Sequence, residues 1–143
     1  MRQLKIEDKI INDDSKCFVI AEVGHNHQGS VETAKQIFNA AKNAGASAVK
    51  LQKRDNKILF TEEMYNSDYA SDNAYGKTYG AHRDALEFGL DEYLELQEYC
   101  KELDLIFFAT PFDLPSVDFL EKLNIPLYKI ASADVKSTPL LRH

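Results

Sequence analysis

Strand-like and helix-like stretches alternate along the 143 residues, which assigns the chain to the α/β class with a parallel sheet. Three observations carry this. Four short apolar runs read as strands: residues 17–23 (CFVIAEV), 48–52 (AVKLQ), 105–109 (LIFFA) and 127–130 (LYKI). Helical segments separate them. The runs are nearly continuous in apolar character, as strands buried on both faces should be. Each also ends in polar chemistry: Glu22 on the first, Lys50 and Gln52 on the second, Thr110 to Asp113 after the third, Lys129 on the fourth. A lone charge in a buried strand is costly unless paired or used. Charges at the same ends of successive strands point to a site at the carboxyl edge of a barrel.

Residues 3–12 alternate weakly around Glu7 and Asp8, which fits a β-hairpin or an extended arm. The first strand runs into 24–29 (GHNHQG), then Ser30 as N-cap. Val31, Ala34, Ile37, Phe38 and Ala41 share one face of the next helix, and Gly45 ends it. Residues 53–90 are polar and tyrosine-rich, with a short helix expected near 62–65. So long an irregular segment reads as a lid or specificity loop, or as a structural excursion. Asp91 is the expected N-cap of a helix to about Leu103, with Tyr93, Leu96, Cys100 and Leu103 inward. Pro115 fits the first turn of a third helix that buries Val117, Leu120 and Leu123. The fourth strand follows Pro126, and a further helix begins near Leu140. This makes four βα units where a TIM (β/α)8 barrel has eight in roughly 250 residues. The expected organisation is therefore a hairpin or arm over 1–16 and half a barrel over 17–143, with an open doubly wound sheet as the other reading.

A net charge of -6 argues against general nucleic-acid binding, and no basic block with interleaved aromatics occurs. The amino terminus lacks a signal-peptide core, and no apolar stretch approaches the ~20 residues of a membrane helix. Cys17 and Cys100 have no motif spacing and read as buried thiols of a cytoplasmic protein. No P-loop, nucleotide-binding glycine fingerprint or Ser-His-Asp arrangement is present.

On alternate strands of a barrel, Lys50 and Lys129 would share a layer and could hold one phosphate or carboxylate. They could equally form ion pairs with Glu22 and Asp134. Glu22 is the candidate general acid or base, and Asp134 is a second carboxylate or a helix cap. Thr110 and Ser132 suit phosphate oxygens or helix caps. His25 and His27 alternate in a glycine-bounded loop, but a metal needs further ligands, so no metal site is assigned.

Four motifs stand in order: 20–30 (IAEVGHNHQGS), 48–53 (AVKLQK), 75–89 (YGKTYGAHRDALEFG) and 107–134 (FFATPFDLPSVDFLEKLNIPLYKIASAD). Together they resemble the sialic acid synthase family from Cys17 onward. The resemblance implies a TIM-barrel enzyme that condenses phosphoenolpyruvate with N-acetylmannosamine and water, giving N-acetylneuraminate and phosphate with Mn2+ or Mg2+. Related members take the 6-phosphorylated sugar, or sugars leading to legionaminic or pseudaminic acid. The motifs look closer to the neuraminate and legionaminate branches.

Carried over by position, Lys50 and Lys129 would bind the phosphate and carboxylate of phosphoenolpyruvate, with Thr110 and Ser132 adding hydrogen bonds. Glu22 would sit beside the reacting carbons and share proton transfers with Asp134. Gln52 and Phe112 would line the pocket, and Tyr79 would lie on the sugar side. Two departures stand out. The family often has glycine where this chain has Ala133. The family's metal-binding histidines, several sugar contacts and an antifreeze-like domain belong to a carboxyl-terminal part not found in this sequence. The resemblance further implies a homodimer. A non-catalytic sugar- or anion-binding half-barrel, and another phosphoenolpyruvate-using barrel, are the alternatives.

Overall fold

A computed structural model describes residues 2–143. Met1, the first residue of the expected 1–16 arm, lies outside the described residues. The arm is a hairpin: β1 (Gln3–Ile6) pairs antiparallel with β2 (Lys9–Asn12), Gln3 opposite Asn12 and Ile6 opposite Lys9. Ile6 is buried in the main core, and Lys9 Nζ reaches Asp104 at 2.9 Å. The hairpin is thus packed onto the domain rather than extended from it.

The main sheet has three parallel strands in the order β3 (Ile20–Gly24), β4 (Ala48–Lys53) and β5 (Ile106–Pro111). Glu22 stands opposite Lys50, Lys50 opposite Phe108, and Gln52 opposite Thr110. Side chains alternate along a strand. Val49, Leu51, Phe107 and Ala109 therefore share one face, and Lys50, Gln52, Phe108 and Thr110 the other. The first face takes the helices. Phe38 of α1 (Val31–Asn43) and Tyr93 of α5 (Leu90–Glu102) both pack against Phe107, and Tyr93 meets Phe119 of α6 (Leu114–Glu121) edge-on. The second face carries the chemistry.

The capping signals work locally. Ser30 Oγ accepts from the Thr33 N–H at 3.2 Å, and Asp113 accepts from the Ser116 N–H at 2.8 Å. Gly45, with φ of 87°, turns the chain out of α1.

Several expectations need correction. The fourth run, 127–130, makes only one parallel bridge, Tyr128 to Ala109. Pro126 has no N–H to extend the ladder, and a 3-10 turn (Ser132–Lys136) follows at once. Three strands and a bridge therefore stand where four strands were expected. The first strand starts at Ile20 rather than Cys17, because the Val19 carbonyl is taken by the Ser47 and Ala48 N–H groups. The cap of α5 is Gly89, not Asp91; its N–H donates to the Glu92 carboxylate at 3.0 Å. Cys17 is exposed, while Cys100 is buried, and both thiols are free.

The 53–90 segment holds three short helices: α2 (Asn56–Leu59), α3 (Glu62–Asn66) and α4 (Tyr79–Asp84). Asp55, Thr61 and Thr78 cap them in turn. Asp84 holds the layer together by accepting from Asn56 Nδ2 at 2.9 Å and from the Tyr65 hydroxyl. The chain ends in α7 (Thr138–Arg142).

Candidate active site

Lys50 is the centre of the polar face. Its side chain is 2 % exposed, and its Nζ lies 2.8 Å from Glu22 Oε2. It also donates to Thr110 Oγ1 at 2.9 Å. Strand register places these groups: β4 sits between β3 and β5, so its lysine reaches a carboxylate on one neighbour and a hydroxyl on the other. Thr110 is buried as well, but Glu22 keeps 60 % of its side-chain surface in solvent. A buried ammonium faces an accessible carboxylate, so an incoming anion can compete with Glu22 for Lys50 without stranding Glu22 in a dry interior.

The remaining predicted residues lie around this pair. The Lys129 N–H donates to the Ala109 carbonyl at 3.2 Å. Tyr128 bridges to Ala109, so alternation places Lys129 on the opposite side, the face that carries Lys50. Gln52 Oε1 accepts from Arg54 Nη2 at 2.7 Å, and the Arg54 guanidinium stacks 3.9 Å from the Phe112 ring centre. Phe112 also lines a cavity of about 230 Å³ between α2 and α7. Ser132 opens the 3-10 turn and is exposed. Asp134 is in the same turn, and its buried Oδ2 has no partner. Tyr79 packs edge-on against Phe60 and Tyr69 within the helical layer.

A second cluster escaped the sequence reading. Glu87 lies 3.2 Å from both Lys53 Nζ and His25 Nε2, and its carboxylate accepts from the Arg54 N–H. The His25 contact is at ion-pair distance, though Glu87 Oε1 lacks hydrogen-bond geometry. Burial alone would raise the Glu87 carboxyl, but His25 and Lys53 outweigh it and hold the group below the ordinary carboxylate range. Arg83 Nη2 and Arg54 Nη1 also approach the His25 ring, at 3.1 and 3.4 Å. Burial, then the neighbouring Arg83, lowers Arg54 to about 10. No local pattern marks Glu87; its partners are 33 to 62 positions away in sequence, and only the fold gathers them.

His27 is 1 % exposed and stacked 4.0 Å from Phe88. Its Nδ1 accepts from the Gly29 N–H at 3.1 Å. Burial, then nearby His25, depresses its pKa to about 4. His27 is thus engaged within the loop, while His25 is engaged by Glu87, Arg83 and Arg54 from outside it. Among the described residues no group of three or more His, Cys, Asp or Glu side chains is gathered as a metal would require. The residues present do not form a divalent-cation site. None of the described helices is long and apolar enough to cross a membrane.

Residues 37–143 match the NeuB family. The chain is 50% identical over 125 residues to N-acetylneuraminate-9-phosphate synthase of Drosophila melanogaster, covering 87% of this chain and 34% of that protein. It is 36% identical over 128 residues to N,N'-diacetyllegionaminic acid synthase of Legionella pneumophila, covering 89% and 36%. The crystal structure of an N-acetylneuraminic acid synthetase from Leptospira borgpetersenii, in complex with citrate, superposes with a TM-score of 0.80 at 30% identity. That match covers 98% of this chain and 45% of the other. The chain spans about a third of the length of the curated relatives it matches. The family match and the fold agree, and the chain belongs to the NeuB family.

Proposed function

We propose that this chain supplies the phosphoenolpyruvate-binding part of a nonulosonate synthase. The reaction condenses phosphoenolpyruvate with N-acetylmannosamine or a related N-acetylated amino sugar and releases phosphate. The observation that carries this reading is Lys50, a buried ammonium held between Glu22 and Thr110, with Lys129 on the same face. Relatives named as sialic and legionaminic acid synthases support it. On this reading the chain forms the first βα units of a TIM barrel after its hairpin. The whole enzyme is a cytoplasmic homodimer.

The chemistry follows from charge. Lys50 and Lys129 bind the phosphate and carboxylate, with Thr110 and Ser132 donating hydrogen bonds. The enol carbon of phosphoenolpyruvate attacks the aldehyde of the open-chain sugar and forms the new C–C bond. Positive character develops at the adjacent carbon, water adds there, and phosphate leaves by C–O cleavage. The lysines stabilise the phosphate charge throughout. Glu22 and Asp134 handle the protons, Gln52 and Phe112 wall the pocket, and Tyr79 lies on the sugar side. The family's Mn2+ or Mg2+ would take its ligands from outside the described residues.

The test is phosphorus NMR of phosphoenolpyruvate with this chain and Mg2+, with and without N-acetylmannosamine. Saturable binding that weakens at least tenfold in Lys50→Met supports the assignment. Sugar-dependent phosphate release would add catalysis to binding within the chain itself. Binding without release fits an anion-binding half-barrel whose remaining machinery lies elsewhere. No binding would overturn the assignment.

A further inference from the structure

Arg54 stands at the rim of the Lys50 face, just beyond the end of β4. Its guanidinium is held on three sides. Nη2 donates to Gln52 Oε1 at 2.7 Å, Nη1 approaches the His25 ring at 3.4 Å, and the flat face lies 3.9 Å from the Phe112 ring centre. Its backbone N–H donates to the Glu87 carboxylate at 3.3 Å. The main chain on either side is pinned as well. The Phe112 N–H donates to the Lys53 carbonyl at 3.1 Å, and the Asp55 N–H to Asp113 Oδ2 at 2.7 Å. Asp113 is buried, and its other oxygen caps α6. These bonds tie the loop after β4 to the loop after β5, so the stack of Arg54 on Phe112 is built into the fold.

The bond from Arg54 fixes an orientation at Gln52. A guanidinium only donates, so the amide must turn its oxygen toward Arg54. The NH2 end then points away from Arg54, toward β3, where a Cβ placed on Gly24 would stand 3.7 Å from Nε2. Among the described residues Nε2 has no protein acceptor. Gln52 follows Lys50 by two positions and shares its face. An unrestrained glutamine could present either end of its amide, whereas this one presents donors only.

We propose that Arg54 is a positioning residue that locks the Gln52 amide, so that Nε2 donates to an oxygen of the anion bound at Lys50. Arg54 itself makes no contact with that anion. The proposal rests on the reading of Lys50 as the phosphoenolpyruvate site and adds a source of its selectivity. A ligand that brings an oxygen acceptor to Gln52 is favoured, and one that brings a hydroxyl donor finds no acceptor there.

The experiment is a proton–nitrogen NMR titration with phosphoenolpyruvate of the parent chain, Arg54→Met, Gln52→Met and the double variant. In the parent, the Gln52 side-chain amide should shift and saturate together with binding. Gln52→Met should weaken binding about tenfold or more, as loss of a hydrogen bond to a charged group does. Arg54→Met keeps the backbone bond to Glu87 and should weaken binding about fivefold, the cost of ordering one more side chain. In the Gln52→Met background the same change should have no effect, because residues that act as one unit do not add. An equal loss in both backgrounds would show Arg54 acting through its own charge and would overturn the proposal. So would parent affinity in Arg54→Met, or binding that leaves the Gln52 amide unmoved. Binding lost in Lys50→Met but kept in Arg54→Met would overturn the positioning role alone. A parent chain that binds no phosphoenolpyruvate would overturn the Lys50 assignment and the positioning role together.

Discussion

Lys50 and His27 are the two buried titratable side chains whose removal has opposite readouts. Lys50→Met leaves Glu22 in solvent and strands only the Thr110 hydroxyl, a cost of about 1 kcal/mol. Glu22→Ala leaves the ammonium buried with Thr110 alone and should cost more, about 2–3 kcal/mol. Denaturant melts of the pair should rank them in that order, and the reverse would refute the role given to Glu22. His27 governs acid stability. Its folded pKa of about 4 lies below its ordinary 6.5, so on acidification the unfolded chain takes up the proton first. Stability held by neutral His27 is complete above pH 6.5 and is lost as pH falls toward 4, by at most about 3 kcal/mol. Urea melts from pH 7 to 4.5 should reveal this slope, and His27→Asn should flatten it. Glu87 acts in the same direction at lower pH, because its folded pKa is depressed too.

At the scale of elements, the helical layer α2–α4 depends on one carboxylate. Asp84→Ala removes the acceptor of both Asn56 and Tyr65. Hydrogen exchange should accelerate at least tenfold across these three helices while β4 and β5 stay protected. Equal acceleration in the sheet would show that the layer and the sheet unfold together. The sheet was legible in the sequence because its strands are apolar runs with charges placed at register. The layer was only half legible. Its helices are four to six residues long, too short for a 3.6-residue period, and only their caps, Asp55, Thr61 and Thr78, give a local sign. The run at 127–130 reads as a strand by composition, yet pairing needs a neighbour and free N–H groups, and Pro126 limits both. The Lys50–Glu22 ion pair was one of the two readings that the charged strand ends offered, whereas the Lys50–Thr110 contact and the Glu87 cluster emerge only from strand pairing and tertiary contact.

At the scale of the molecule, β3 pairs with β4 and, among the described residues, with nothing on its other edge. Val19 and Ile20 are exposed beside that edge. An unpaired apolar edge recruits further strands. Sedimentation at rising concentration should detect association, and Ile20→Lys should suppress it; a chain that stays monomeric throughout would argue that the edge is inert. The core has a different consequence. The hydroxyl of Tyr93, fully buried, donates to the Gln52 carbonyl at 3.1 Å, and burial pushes its ionisation well above that of a free phenol. Tyr65 and Tyr128, bonded to Asp84 and Glu121, are raised as well. The chain has seven tyrosines and no tryptophan, so its near-ultraviolet absorbance comes chiefly from phenol rings. An alkaline absorbance titration should thus show a delayed rise from these three phenols, and the share lost in Tyr93→Phe reports the opening of the sheet's core without any added dye or label.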